Sequence, residues 1–417
     1  MLPPLFHRCI IVLIIISFSS CSFNKETQGD VLYIKISDTK EGTQLYASDF
    51  ISSIEYVALE TLSQCLIGES FEVSISENYI LVFNLNETQC LLFSREGKFI
   101  RKIGQKGNGP GEYYGSFDIK IDENTGMIFL MGLYEIYSYR ITGEFIKKFD
   151  LRELFVTAGI SGIYCSMHWK DDLFCANVYN TGKESYRFII FSSDGEIVKL
   201  FPNYIHFETV NTSYFYTTRN GECHIFCYDE QIYFKELLCD TLFKITDQLE
   251  LVPEIILDLP GEKTPTSMRG QTVRLLDFTI NNIYKYENYL LLNSRTSHYL
   301  YDMNNNQLTM IKHDHSIINK ISRNLPDGAV RAYETPFYGF TNDIDGGLAF
   351  YPKDSYRIQN DKKFVSAYHS HELKNFLTDD YLSSRKIKDL EAHKRLKKLL
   401  AELDEDDNPV LMIATVK

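Results

Sequence analysis

Short apolar runs separated by polar turns recur along most of this 417-residue chain. Within the runs, apolar and polar positions alternate with a period of two, as in FDIKID at residues 117–122. That period is typical of β-strands, whereas a helix repeats its apolar positions every three to four residues. The pattern therefore predicts a chain built mainly of strands.

Three turns share one sequence pattern, which predicts a repeated hairpin. Each has an aromatic residue, three mostly polar residues, a glycine, a charged residue and two apolar residues. The copies are FSREGKFI (93–100), YRITGEFI (139–146) and FSSDGEIV (191–198). The glycine supplies the positive φ of a tight turn. Weaker copies at 242–251 and 300–308 have Asp247 and asparagines in the place of this glycine.

Apolar strands that open from polar turns come before these hairpins, and the resulting unit is about 45 to 55 residues long. The strands of this kind are predicted at 76–84, 123–132, 170–179, 221–229, 286–294 and 344–352. Six units with four short strands each are the pattern of a β-propeller. We therefore predict an all-β fold, with one six-bladed β-propeller spanning residues 31–417.

The two ends of the chain are predicted to close the ring together. Apolar strands are expected at 31–36 and 52–61 near the start and at 410–416 at the end. Because a propeller must join its last blade to its first, strands from both termini are expected to share one blade.

A helical insert is predicted at about residues 371–406, before the closing strand. Ala392, Leu396, Leu399 and Leu403 recur at helical spacing and would share one face. The same segment is rich in lysine and arginine, which would lie on the opposite face. That face is either solvated or available to a membrane or a partner.

The stretch GQKGNGPGEYYG at residues 104–115 has the glycine content of a phosphate-binding loop. Its glycine spacing matches neither the dinucleotide fingerprint nor the P-loop pattern, and a strand rather than a helix follows it. Pro110 also removes one backbone donor. The loop is therefore predicted to connect the outer strand of the first blade with the inner strand of the second.

The first thirty residues predict export and lipid attachment. The apolar run at residues 9–16 is too short to span a bilayer and indicates a signal peptide, residues 1–20. The segment SFSSC, which ends at Cys21, resembles the lipobox of bacterial lipoproteins; this implies lipidation of Cys21 and a polar tether at residues 21–30. Phe18 departs from the leucine usual at its position, and a plain signal peptide is the alternative. We expect a cell-envelope protein, lipid-anchored at the periplasmic face or the outer surface of a bacterial membrane.

Three segments of the chain resemble one protein family. VALET (57–61), FIRKIGQKGNGPGEY (99–113) and NPVLMIATV (408–416) look like the six-bladed β-propeller lipoproteins of Bacteroidetes, which are relatives of NHL-repeat propellers. The resemblance covers nearly the whole mature chain, and the GxxGxGPGEY stretch is its most specific part. It implies an exported lipoprotein, often encoded near nutrient-uptake systems, and it does not imply a reaction.

Aromatic residues near a predicted blade junction are the candidates for ligand binding. They are Tyr113, Tyr114, Tyr134 and Tyr137. Exposed aromatic side chains on loops can stack on sugars or peptides. Packing between blades is the alternative interpretation of the same residues.

Metal ligands are sparse in the sequence. His313 and His315 would share one face of an extended segment, but a catalytic metal site needs three protein ligands. They are weak candidates under an enzyme hypothesis, in which Ca²⁺ or Zn²⁺ would bind; no cofactor is predicted otherwise. DIDGG (343–347) and DENTG (122–126) resemble parts of calcium loops but lack the remaining ligands, so both are predicted to be hairpin turns.

Three functional hypotheses follow from these observations. The first is a non-enzymatic binding or scaffold propeller that serves nutrient uptake and binds a glycan, a peptide or a protein. The second is a metal-dependent hydrolase or lyase with its site in the central channel, and the third is a propeller that docks or signals to proteins. The net charge of −13, with no basic run outside the insert, argues against nucleic acid as a partner.

Overall fold

The fold was obtained as a computed structural model. It describes residues 31–36, 42–116, 118–132, 134–208, 223–228, 230–236, 239–259, 280–294, 297–312, 314–324, 330–337, 339–350, 354–358 and 361–417. Six sheets of four or five strands form a six-bladed β-propeller, which confirms the predicted fold class. Within this described part of the chain, no helix has both the length and the apolar character needed to cross a membrane.

The strands follow one another blade by blade. The chain begins with β1 (Leu32–Lys35), α1 (Ala47–Phe50) and β2 (Ile51–Ala58). Blade 1 consists of β3 (Phe71–Ile75), β4 (Tyr79–Asn84), β5 (Gln89–Ser94) and β6 (Phe99–Lys102), and the short strands β7 (Gln105–Lys106) and β8 (Glu112–Tyr113) lie in the connection that follows. Blade 2 consists of β9 (Asp118–Asp122), β10 (Met127–Met131), β11 (Glu135–Arg140) and β12 (Phe145–Asp150), and α2 (Leu151–Ala158) comes after it.

The remaining blades repeat this order. Blade 3 consists of β13 (Ile163–Lys170), β14 (Leu173–Val178), β15 (Tyr186–Ser192) and β16 (Ile197–Pro202). Blade 4 consists of β17 (Cys223–Tyr228), β18 (Gln231–Glu236), β19 (Thr241–Ile245) and β20 (Leu251–Asp258). Blade 5 consists of β21 (Ile280–Tyr286), β22 (Tyr289–Ser294), β23 (His298–Asp302) and β24 (Gln307–Met310). A separate ribbon of β25 (Asp314–Asn324) and β26 (Val330–Phe337) precedes blade 6, whose strands are β27 (Asp354–Ile358), β28 (Asp361–Tyr368), β29 (Val410–Val416) and β2.

The hydrophobic core is divided into layers between neighbouring blades. In β4, Leu81 and Phe83 pack against blade 2, whereas Ile80 and Val82 pack against blade 6. Successive side chains of a strand point to opposite faces, and both faces of each blade are covered by a neighbour. The middle strands are therefore continuous apolar runs. Alternation between more buried and more exposed residues is found mainly in outer strands such as β12.

Strands from the two termini close the ring, as predicted. β2 pairs antiparallel with β29 from Ile51 opposite Val416 to Ala58 opposite Val410. The predicted strand at 31–36 is present as β1, but the prediction that it belongs with the terminal strands is wrong. It pairs parallel with β20 as a fifth strand of blade 4, where Ile34 is buried at the open edge of that sheet.

The predicted helical insert lies between β28 and β29. Its helices are α3 (Ser370–Phe376), α4 (Asp379–Ser383) and α5 (Leu390–Glu402). Asp389 caps α5, because its carboxylate accepts hydrogen bonds from the backbone N–H groups of Glu391 and Ala392. Leu396 on α5 is buried in the core layer between blades 5 and 6, as the helical period predicted.

The turn glycines adopt the predicted conformation, whereas one predicted strand is not formed. Gly97, Gly143 and Gly195 have φ of +84°, +89° and +83°, as the repeated hairpin requires. In the fourth copy the left-handed residue is Leu249 rather than Asp247, because the turn is placed two residues later. The strand predicted at 344–352 is wrong for its described residues: residues 344–350 are irregular and make one bridge, Phe340 to Phe350, and β27 forms the inner strand instead.

Candidate functional site

The antiparallel order of the strands gives the propeller two different faces. The hairpins between first and second strands, and between third and fourth strands, lie on what we name the turn face. The links between second and third strands, and those from blade to blade, lie on the opposite connection face. The glycine-rich loop, α2 and the helical insert all belong to the connection face.

Two of the predicted tyrosines are exposed on adjacent links of the connection face. Tyr114 is 64 % exposed and Tyr134 is 49 % exposed. Their links touch, because the Ser116 hydroxyl donates a hydrogen bond of 3.2 Å to the carbonyl oxygen of Met131. Gly132 lies close to this contact, since a Cβ there would lie 3.3 Å from the carbonyl oxygen of Gly115.

The loop at 104–115 is held by bonds to its own residues and to blades 1 and 2. The Tyr113 hydroxyl accepts from the Cys90 backbone N–H at 2.9 Å and donates to the Ile103 carbonyl at 3.0 Å. The Tyr139 hydroxyl donates to the Gly111 carbonyl at 3.0 Å. The Glu112 carboxylate accepts from the Gly109 N–H at 2.7 Å, and this bond is the main cause that lowers its pKa.

Glycine is required at Gly104 because the loop folds tightly over two tyrosine rings. Its φ is +59°, and a Cβ there would lie 2.7 Å from the Tyr139 hydroxyl oxygen and 2.8 Å from a Tyr113 ring carbon. The loop forms the predicted connection from β6 to β9, and it presents Tyr114 from a fixed backbone.

The other two predicted tyrosines lie beneath this surface. Tyr113 and Tyr137 are buried, with their ring centroids 6.1 Å apart in an edge-to-face arrangement. Burial raises the pKa of both hydroxyls, and the carboxylate of Glu135 adds to the effect at Tyr137. For Tyr113 and Tyr137 the structure therefore supports the packing alternative, and the ligand-binding prediction remains for Tyr114 and Tyr134.

A cluster of charged side chains borders Tyr134. The guanidinium carbon of Arg152 lies 5.9 Å from the centroid of the Tyr134 ring. Arg152 Nε and a terminal nitrogen donate to the Asp150 carboxylate at 2.9 and 2.7 Å, and this pairing lowers the pKa of Asp150. Lys148 Nζ lies 2.9 Å from Glu135 Oε1. Donors and acceptors thus stand beside an exposed aromatic ring.

Sequence reasoning missed further parts of this surface. Arg152 and Asp150 are placed by α2, since Asp150 is its N-cap and accepts from the Arg152 N–H. Val156 on α2 and Tyr204 after β16 are almost fully exposed on the same face. The helical spacing of α2 could have identified Val156 as exposed, because Val156 does not lie on the face formed by the buried residues of this helix.

Several predicted sites fall outside the described residues or side chains. Cys21 and His313 lie outside the described residues, and the side chain of His315 in β25 is not described. The lipidation and metal predictions therefore remain predictions. Within the described residues, no group of three or more His, Cys, Asp or Glu residues is arranged to hold a metal ion.

The DIDGG segment is a buried polar joint rather than a hairpin turn, so that prediction is wrong. Asp343 Oδ1 accepts from the Ser48 N–H at 3.0 Å, and its Oδ2 lies 2.9 Å from Lys388 Nζ. Asp345, fully buried, accepts at Oδ1 from the Gly347 N–H at 2.8 Å and from Asn342 Nδ2 at 2.6 Å. The joint thereby connects the link before blade 6 with the N-terminal segment and the helical insert.

The pKa values of the two carboxylates of this joint are shifted in opposite directions. Burial raises the pKa of Asp345. Burial also acts on Asp343, but hydrogen bonds from Ser48 and Lys388 outweigh it and hold the pKa of Asp343 below its usual value. Both oxygens of Asp343 and Oδ1 of Asp345 accept from protein donors, whereas Oδ2 of Asp345 is buried without a hydrogen-bond partner.

Comparisons with known proteins identify a family and a fold. The model of the domain of unknown function DUF4934 matches residues 31–415. The crystal structure of a protein of Bacteroides fragilis NCTC 9343 that is named as exported has a TM-score of 0.60 at 18 % identity, covering 93 % of this chain and 99 % of that one. A search of curated proteins found no match.

Two further structures share lower similarity. A member of the DUF4221 family from Bacteroides vulgatus has a TM-score of 0.44 at 11 % identity, with coverage of 88 % of this chain and 97 % of that one. A virginiamycin B lyase from Staphylococcus aureus has a TM-score of 0.37 at 13 % identity, with coverage of 68 % and 88 %. At these scores neither carries an argument about this chain.

Proposed function

This chain belongs to the DUF4934 family, and we propose that it is an exported lipoprotein that binds a glycan. The proposed binding surface is the connection face of blades 2 and 3. The observation that carries the proposal is the pair of exposed rings, Tyr114 and Tyr134, on two links that contact each other. Aromatic rings of this kind stack on the apolar faces of sugars. The charged cluster beside Tyr134 supplies hydrogen-bonding groups for sugar hydroxyls.

Rigidity of the loop supports a binding role. Tyr113, Tyr139 and Glu112 fix its backbone through the hydrogen bonds described above. A surface that is ordered before the ligand arrives loses less conformational entropy on binding. The buried Tyr113 and Tyr139 therefore support a binding role for the exposed Tyr114, because they hold its backbone in place.

Export and lipid attachment rest on the N-terminal sequence. The apolar run and Cys21 have the pattern of a bacterial lipoprotein, and the similar B. fragilis protein is named as exported. Two or more acyl chains on Cys21 would hold the protein at a membrane without a spanning helix.

The pairing of β1 favours one orientation toward the membrane. β1 runs parallel to β20, and β20 starts at a hairpin of the turn face, so β1 also starts on that side. Residues 22–31 separate Cys21 from β1 and reach at most about 36 Å. The anchor would then lie below the turn face, and Tyr114 and Tyr134 would face away from the membrane.

The test is a glycan array followed by calorimetry with the chain 22–417. We expect at least one glycan to bind, and Tyr114→Ala and Tyr134→Ala each to weaken its Kd by about tenfold, the loss of a stacking contact of roughly 1.4 kcal/mol. Tyr33→Ala is the matched control, because Tyr33 is 70 % exposed but lies on β1 at the rim of blade 4. Equal losses in all three variants, or binding that EDTA abolishes and Zn²⁺ or Ca²⁺ restores, would overturn the proposal.

A separate measurement tests the anchor. In cells, the Cys21→Ser variant is expected to leave the membrane fraction while the propeller still melts at the wild-type temperature. Intact-mass analysis of the wild-type protein should show acyl chains on a mature chain that begins at Cys21. A variant that stays in the membrane fraction would contradict lipid attachment at this residue.

A further inference from the structure

The N-terminal segment lies against the outer strands of blades 4 and 5. β1 lies along β20 of blade 4, and the Ile36 N–H donates a hydrogen bond of 2.9 Å to the Asp258 carbonyl at the end of β20. The Thr43 N–H donates at 2.8 Å to the Met310 carbonyl at the end of β24, the outer strand of blade 5. We name residues 32–36 and 42–48 together the strap.

The second part of the strap, residues 42–48, is held by the link before blade 6. The Ala47 N–H donates to the Thr341 carbonyl at 2.8 Å, and the Ser48 N–H donates to Asp343 Oδ1 at 3.0 Å. These residues lead directly into α1 and β2, and β2 closes the ring by pairing with β29. This part of the strap therefore cannot leave the propeller without opening blade 6.

The first part of the strap has a single partner strand. In the described sheets β1 pairs with β20 alone. Ile34, which lies opposite Leu257, and Ile36 are buried in the core layer between blades 4 and 5. Tyr33 and Lys35 alternate with them and are exposed. The attachment of β1 thus depends mainly on two isoleucine side chains and on the backbone bonds of one edge.

The attachment of β1 to β20 is expected to be close to balance. Burial of two isoleucine side chains favours the attached strand, whereas fixing the backbone of residues 32–36 costs conformational entropy of similar size. A short segment with few buried contacts opens locally well before the whole fold does. β1 is therefore expected to leave β20 while residues 42–48 stay in place.

An open β20 would present two features that another strand can match. Its free edge would expose backbone N–H and C=O groups. Leu242 and Leu257 belong to the same core layer as Ile34 and Ile36, so the departure of β1 would also uncover apolar side chains. The structure shows one sequence that fits this edge, which is that of β1 itself.

We propose that β1 is an exchangeable strand: the β1 of a second copy of this chain takes the open place on β20, and two copies are thereby joined. The exchanged strand would form the same hydrogen bonds and bury the same isoleucines as the strand that it replaces, which makes exchange a low-cost route to a dimer. Residues 42–48 would keep each ring closed during the exchange. This proposal is independent of the glycan surface, which lies on blades 2 and 3.

The first test measures whether a β1 strand binds from solution. A fluorescein-labelled peptide of residues 30–37 is titrated with the chain 22–417, and its anisotropy should show saturable binding. An Ile34→Ser peptide should bind at least about tenfold more weakly, because this side chain is buried in the core layer. A Tyr33→Ser peptide is the matched control, and its Kd should change less than about twofold, because Tyr33 is exposed.

A disulfide lock tests where the peptide binds. Tyr33 and Ile256 lie opposite each other on β1 and β20. In the chain 22–417 with Tyr33→Cys and Ile256→Cys, oxidation should therefore hold β1 in place, and peptide mapping of the monomer identifies the bond. The reduced variant should melt within about 2 °C of wild type. Oxidation should abolish binding of the peptide, and reduction should restore it.

Sedimentation tests the second copy as the occupant. The chain 22–417 should form a dimer as its concentration is raised, and the oxidised lock should remain a monomer. No binding of the peptide, or equal binding of the Ile34→Ser peptide, would overturn the exchange. Peptide binding or a dimer that persists in the oxidised lock would overturn the role of β20. Peptide binding without a dimer at any soluble concentration would overturn a second copy as the occupant.

Discussion

The loop at 104–115 and the segment at 342–347 both carry glycines and carboxylates, and both lie on the connection face, yet they are built in opposite ways. In the first, Glu112 accepts from Gly109 and Gln105, which are close in the sequence. In the second, Asp343 is bonded to Ser48 and Lys388, which are far away in the chain.

The difference indicates that the position of the hydrogen-bond donors in the chain determines whether a polar link is exposed or buried. A loop whose polar groups are satisfied locally can leave a side chain such as Tyr114 in solvent. A loop whose carboxylates need distant donors must be buried where those elements meet, since an unpaired buried carboxylate is costly.

Removal of the Asp345 side chain should have the largest effect on stability. Asp345→Ala leaves the Gly347 N–H and Asn342 amide without an acceptor in a buried site, and we expect a loss of about 3 kcal/mol in the free energy of unfolding. Asp345→Asn keeps an acceptor oxygen and should lose less than about 1 kcal/mol. Denaturant unfolding of the chain 22–417 at pH 7 measures both. Similar losses in the two variants would contradict the role given to Oδ1.

Asp345 should also make the free energy of unfolding depend on pH, in a direction that its pKa shift defines. Because burial raises the pKa of Asp345, the folded state keeps its proton to higher pH than the unfolded state does. Its contribution to stability is therefore full below the unfolded pKa of about 3.9 and declines as the pH rises through the folded value. Relative to wild type, Asp345→Asn should gain stability as the pH is raised from 4 to 7. Asp343, whose pKa is lowered, should act in the opposite direction.

A side chain at Gly104 should disrupt the rigid loop next most strongly. In Gly104→Ala, the new Cβ meets the rings of Tyr139 and Tyr113 at a positive φ, and we expect a loss of about 2 kcal/mol. Gly115→Ala is the control in the same loop, because a Cβ there has no atom within 4 Å. Its unfolding midpoint should match that of wild type. Equal midpoints for the two variants would show that the loop is not held as described.

Loss of the Tyr113 hydroxyl should have a smaller effect. Tyr113→Phe keeps the buried ring but leaves the Cys90 N–H without its acceptor and the Ile103 carbonyl without this donor. A loss of about 1 to 2 kcal/mol is expected from such a pair of buried bonds. Amide hydrogen exchange at Cys90 should become faster in the variant, and an unchanged exchange rate would contradict the bond.

The propeller could be predicted from the sequence because its determinants are local and repeated. The hairpin glycines 97, 143 and 195 each define a turn within a few residues, and the paired terminal strands follow from the need to close the ring. The segment around Asp343 and Asp345 was misassigned because its conformation depends on Ser48, Tyr56 and Lys388, which no local pattern contains. The place of β1 depends likewise on a free edge in blade 4.

The candidate site could be predicted only in part for the same reason. Aromatic enrichment identifies a set of four residues, Tyr113, Tyr114, Tyr134 and Tyr137. It does not predict which of their rings are buried. Tyr113 and Tyr114 are adjacent in the sequence, and in the extended chain around β8 neighbouring side chains point to opposite sides. One is buried against Phe83, and the other is exposed.

The smallest change in stability is expected at Tyr114 itself. Tyr114→Ala removes an exposed ring from a backbone fixed by its neighbours, so the free energy of unfolding should change by less than about 0.5 kcal/mol. Tyr113→Phe and Tyr114→Ala therefore form a contrasting pair: the first should lower stability, whereas the second should weaken glycan binding with stability unchanged. Calorimetry with the array-selected glycan and denaturant unfolding of the same samples measure both quantities. If Tyr114→Ala instead destabilises the fold as much as Tyr113→Phe does, the Tyr114 ring is a packing element. The main support for glycan binding on blades 2 and 3 would then be removed.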